Sequence, residues 1–152
     1  MGKPLENLSG HSAIVKRYVL EEGTDKVEEI YLEALNGAGT LHFSIWNVGE
    51  VLGVLDVYHR RKWLQIEDFR AARDSFIAET SRLIKLGVAK VIPVRSKLLT
   101  QSWLLVEKYH IYEADALQIV SAKNLDADQL FSGDQRVVDV SRKEEVDATY
   151  LG

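Results

Sequence analysis

Short apolar runs alternate with longer segments of helical spacing along this chain, and that alternation restricts the possible folds more than any other feature. Thr40 to Phe43 and Gln129 to Ser132 read as strands, and Val88 to Val94 as a buried one. Ser12 is the predicted cap of a short helix reaching Leu20. Thr24 or Asp25 opens a second, whose apolar side holds Val27, Ile30, Tyr31 and Leu35 before Asn36 and Gly37 end it. A helix with Trp46, Gly49, Val51 and Leu55 follows the first of these strands and carries Glu50. A long amphipathic helix begins near Ile66, keeps Phe69, Phe76, Ile77, Thr80, Leu83 and Ile84 in register, and stops at Gly87. Helices over about Ser96 to Tyr109, Glu113 to Asn124 and Asp134 to Glu144 precede a last strand, Ala148 to Leu151. Helices interleaved with short strands predict an α/β fold, a central parallel sheet covered by helices on both faces.

With 152 residues, 46% hydrophobic, the chain is expected to form one domain over residues 1–152 and to bury roughly two-thirds of its unfolded surface. Neither Pro4 nor Pro93 marks a linker, and no repeat or low-complexity stretch interrupts the pattern. The absence of Cys excludes disulfides and thiolate metal sites and fits a cytoplasmic protein, so metal ligands must be oxygen or nitrogen. MGKPLENLSG lacks a signal-peptide core and no later run has membrane-spanning length, so no membrane partner is expected. A net charge of -4 argues against generic adhesion to nucleic acid, while local basic clusters still act at short range.

Three acids sit at the edges of apolar runs: Glu50 in SIWNVGEVLGVL, Asp115 in YEADALQIVSAK and Asp134 in LFSGDQRVVDV. A carboxylate there is costly to desolvate unless a cation or hydrogen-bond donor meets it. Open α/β sheets bind ligands outside the carboxyl ends of their strands. Glu50 and Asp134 each follow a predicted strand, and Asp115 sits near a helix start that can face the same crevice. Three ionised carboxylates within about 5 Å repel by roughly 3 kcal/mol per pair at an effective dielectric near 20, which a divalent cation removes. All-oxygen ligation favours Mg²⁺ or Mn²⁺. Taken singly, Asp134 reads more readily as a helix cap and Glu50 as a solvated helix acid, and first-turn dipole compensation is open to Asp115.

These segments resemble the PIN domain ribonucleases, in particular the VapC toxins of prokaryotic toxin-antitoxin pairs. SAIVKRYVLEEGTDKV is similar to the helix after the family's first acid, SIWNVGEVL to its second-acid segment, ADALQIVSAK to its third and SGDQRVVDV to its fourth. The resemblance covers nearly the whole chain and implies a three-layer α/β/α sandwich. It implies that Glu50, Asp115 and Asp134 are catalytic, holding Mg²⁺ or Mn²⁺, and that Ser12 orients a carboxylate by a hydrogen bond. It also implies hydrolysis of RNA phosphodiesters, an antitoxin that covers the site, and a homodimer.

The chain departs from that pattern at its first acid, where Gly10 stands between Ser9 and His11. Glu6 and His11 are the donors nearest in sequence that offer a replacement. The preceding PLENLS is a poor central strand, because Pro4, Glu6 and Asn7 disfavour one. The departure supplies an alternative reading, a catalytically impaired PIN domain kept as an RNA-binding or protein-interaction module. Lys16 and Arg17 on the first helix, and Arg60 and Arg61 after the Glu50 helix, are candidates for RNA phosphates, with a solvated face as the plainer reading. Tyr18, Tyr58 and Trp63 are candidates for base stacking, core or dimer contacts. His11 and His42 lack a recognisable partner pattern and are given no catalytic role.

Overall fold

A computed structural model describes residues 2–152. Its elements run β1 (Leu5–Ser9), α1 (His11–Tyr18), α2 (Thr24–Leu35), β2 (Gly39–Ser44), α3 (Ile45–Arg60), α4 (Ile66–Lys85), β3 (Ala89–Ile92), α5 (Ser96–Tyr109), α6 (Glu113–Leu125), β4 (Gln129–Ser132), α7 (Gln135–Lys143) and β5 (Ala148–Tyr150). Every ladder is parallel, and the strand order is β3-β2-β1-β4-β5. The order reverses at β1, so the crevice beside its carboxyl end is where such sheets gather ligands.

Side-chain alternation builds the three layers of this α/β/α sandwich. Leu8, Leu130 and Ala148 face one way, against Leu105 of α5, Ile119 of α6 and Val138 of α7. Leu41, Ala89 and Phe131 face the other, against Ala13, Ile30 and Leu83 of α1, α2 and α4. Phe43 continues that second layer with Val51 and Leu55 of α3 and Phe76 of α4. Each of the larger side chains among these, moved from water to core, contributes about 1.5–3 kcal/mol.

β1 overturns the expectation that PLENLS makes a poor central strand. It pairs with β2 on one side and β4 on the other. Glu6 finds partners that only the assembled sheet supplies. Glu6 Oε2 lies 2.5 Å from His42 Nε2 of β2, and the Glu6 N–H donates to Asp128 at 2.7 Å. Pro4 stays outside the strand, where its missing donor costs nothing. Val88 to Val94, expected as a buried strand, narrows to Ala89–Ile92 at the sheet edge, with Lys90 exposed. The first helix begins at His11 with Gly10 as its cap, so Ser12 lies inside it rather than capping it.

Candidate functional site

The starts of α1, α3, α6 and α7 gather at the carboxyl end of the sheet, beside β1. Glu50 arrives on α3, whose first turn is pinned by a reciprocal cap. Ser44 Oγ accepts from Trp46 N at 3.2 Å, and Asn47 Oδ1 accepts from Ser44 N at 3.0 Å. The other end of the buried Asn47 amide donates to Glu50 Oε1 at 2.8 Å, so the cap that starts the helix also aims the carboxylate. Asn47 escaped the sequence reading, although a Ser followed three residues later by Asn carries the signal.

His11 Nδ1 stands 3.4 Å from Glu50 Oε2, so the histidine read as lacking a partner lines the cleft. The contact with Glu50 raises the imidazole above its ordinary pKa, against burial, and the charges of Glu50, Asp115 and Asp134 add to the rise. For Glu50 itself burial works against ionisation. His11 and Asn47 outweigh it and hold the carboxyl below the usual range.

Asp115 lies in the first turn of α6, half-buried. Burial pushes its carboxyl above the usual range, and the nearby negative charges of Asp134 and Glu50 push it further. Asp134 caps α7, its Oδ1 accepting from Arg136 N at 2.9 Å. Capping leaves Asp134 close enough for its charge to act on Asp115 and His11. The structure thus brings Glu50, Asp115 and Asp134 into one field together with His11.

Ser12 touches no carboxylate, contrary to the expectation that it orients one. Its Oγ accepts from Gly133 N at 2.8 Å and lies 3.4 Å from Ser132 Oγ, which in turn accepts from Asp134 N at 3.0 Å. Ser12 holds the backbone that presents Asp134. Among the expected phosphate contacts, Lys16 is buried and donates to Glu21 and the Gly152 carbonyl, and Arg17 is paired with Glu79. Both cations are committed inside the protein, because α1 turns that face toward α4 and the chain end. Arg60 and Arg61 remain at the surface. A groove of about 620 Å³ runs from His11 and Glu50 past Gly53 to this pair and Trp63. Arg61 rests over the Trp63 ring at 5.1 Å, and Trp63 leans on Tyr58 with centroids 5.4 Å apart.

Among the described residues, no trio of acidic or histidine side chains is drawn together tightly enough to hold an ion as it stands. Their chemistry nevertheless fits a hard divalent cation, since the donors are carboxylate oxygens and the repulsion felt by Asp115 is what such a cation relieves. Among the described residues, no helix is long and apolar enough to cross a membrane.

The family model described as PIN domain matches residues 13–143 of this chain. No curated protein matches. Among solved structures, VapC20 of Mycobacterium tuberculosis, described as a sarcin-ricin loop cleaving toxin, superposes with a TM-score of 0.62 at 13% identity, covering 88% of this chain and 94% of that one. FitAB bound to a DNA fragment gives 0.66 at 14%, covering 95% and 94%. VapBC2 of Rickettsia felis, bound to a DNA fragment from its promoter, gives 0.62 at 14%, covering 97% and 100%. At these identities the likeness is one of fold.

Proposed function

Because the chain belongs to the PIN domain family, we propose that it is a ribonuclease toxin of a toxin-antitoxin pair, hydrolysing RNA phosphodiesters in the cleft of Glu50, Asp115 and Asp134. One observation carries this reading: at the carboxyl end of the sheet the half-buried Asp115 of α6 feels the negative charges of Asp134, the cap of α7, and of Glu50 on α3. Glu50, Asp115 and Asp134 are the residues that would hold Mg²⁺ or Mn²⁺. A bound divalent ion supplies water activation and neutralises charge developing on the phosphate. The chain's own residues position the parts. Asn47 and His11 fix both oxygens of Glu50, and Ser12 steadies the turn before Asp134. Arg60 and Arg61 receive the phosphates that flank the cut, along the groove leading from Glu50. The protein acts in the cytoplasm as a homodimer, and an antitoxin covers the cleft.

The test is cleavage of labelled single-stranded RNA with Mn²⁺, an EDTA control and the Asp115→Asn variant. Cleavage that EDTA stops and Asp115→Asn abolishes supports the reading; cleavage unchanged by Asp115→Asn removes the site. A second reading, an impaired nuclease retained for RNA or protein binding, draws on the absence of any side chain at Gly10. RNA binding without cleavage by the unaltered chain would favour it.

A further inference from the structure

Gly10 is flanked by two residues of the cleft. Its successor His11 meets Glu50, and Gln118 reaches it from α6, one helical turn beyond Asp115 on the same face. A β-carbon at position 10 would lie 2.1 Å from Nε2 of Gln118 and 2.6 Å from both its Cδ and Oε1. A side chain at position 10 therefore requires the Gln118 amide to move, because in this arrangement the amide occupies that space. Backbone strain is not the reason for the glycine, because Gly10 has φ -80 and ψ 172, open to any residue. Gln118 is only 4% exposed, yet among the described residues its Nε2 has no hydrogen-bond partner. A buried, unpartnered amide is costly, so its placement calls for an explanation beyond packing.

We propose that Gln118 is a positioning residue of the cleft: its amide fills the space over Gly10, closes the β1 side against a fourth acidic side chain, and leaves cation binding to Glu50, Asp115 and Asp134. Gly10 and Gln118 are a matched pair: a side chain at position 10 has room only where the amide gives way. The inference rests on the reading of those three acids as a cation site. It deepens that reading by assigning the strength of cation binding to a residue outside the acidic set. Three carboxylates facing His11 attract a divalent ion less than four would, since affinity in such sites follows ligand charge count.

Calorimetric titration of Mn²⁺ into the full chain tests this, using the unaltered protein, Gly10→Asp, Gln118→Ala, Asp115→Asn and the double variant Gly10→Asp/Gln118→Ala. The double variant is expected to bind Mn²⁺ at least about tenfold tighter than the unaltered protein, the order of one added charge at close range. Gly10→Asp alone is expected to gain little, because Gln118 holds the space. Equal gains in the single and double variants overturn the proposal, as does a folded double variant with no gain. If the unaltered protein binds Mn²⁺ and Asp115→Asn loses it while the double variant gains nothing, the pairing fails and the cation site survives. If no variant binds Mn²⁺, both fall. Melting curves supply a second measure free of metal. Gly10→Ala is expected to lower the melting temperature with Gln118 present and to lower it much less in a Gln118→Ala background. Equal losses in the two backgrounds overturn the pairing.

Discussion

Arg17 and Glu79, 62 residues apart, meet through two hydrogen bonds of 2.9 and 3.0 Å that join α1 to α4. Tyr18 adds a third donor to the same carboxylate at 2.9 Å. Burial pushes Glu79 up, yet Arg17 and then Tyr18 hold its carboxyl below the ordinary range. Arg17→Ala leaves that half-buried carboxylate without its main donor and is expected to cost about 2 kcal/mol in chemical denaturation. Arg17→Lys should recover only part, because an ammonium lacks the two-pronged fork. A loss no larger than that of an exposed pair would show that this ion pair contributes little.

Asp115→Asn is expected to separate activity from stability. Since folding raises the Asp115 pKa, the ionised form opposes folding, and the penalty is complete at pH values above the folded pKa. The neutral amide removes it. The variant should therefore melt at or above the temperature of the parent at pH 7 while losing RNA cleavage. A clear drop in melting temperature would contradict the like-charge account.

Glu144 governs acid sensitivity at the opposite side of the molecule. The Tyr109 hydroxyl, aided by Lys123 and Lys108, outweighs burial and pulls its carboxyl down to about 2. A depressed carboxyl contributes stability above its unfolded pKa, and that contribution fades as pH falls through the folded value. Glu144→Gln should thus lower the melting temperature at pH 7, with the gap closing between about pH 4.5 and 2. A gap that stays constant over that range would assign the effect to packing instead.

Removing the Ser12 hydroxyl strips Gly133 N of its acceptor. Ser12→Ala is expected to cost about 1 kcal/mol and to reduce cleavage more than RNA affinity, because the turn presenting Asp134 loosens. Equal losses in turnover and binding would argue against this role.

Arg60→Ala with Arg61→Ala should weaken binding of RNA irrespective of its sequence. The slope of log affinity against log salt is expected to fall by about one for each phosphate that is no longer neutralised. An unchanged slope would remove these arginines from the RNA path.

Legibility of the fold in the sequence followed the range of the interactions involved. α5 and β4 lie at their expected limits because local spacing and punctuation define them. β1 defies its local composition because Glu6 is satisfied by His42 and Asp128, partners 36 and 122 residues away. Within the site, Asp115 and Asp134 were visible as acids at helix starts. The company of His11 and Glu50 depends on how α1 packs against α3, which no local pattern encodes. Gln118 was hidden for a similar reason, since on α6 it reads as one polar residue among Leu117, Ile119 and Val120.

The place of β1 in the sheet also sets a timetable for synthesis. The strand emerges from the ribosome before either neighbour, and one of them, β4, starts only at Gln129. At 5–20 residues per second, β1 waits on the order of ten seconds with that edge open. Long-range parallel pairing of this kind folds slowly. Asp134 is the last of the three acids to be made and follows β4 directly, so the cleft and the closed sheet come into being together.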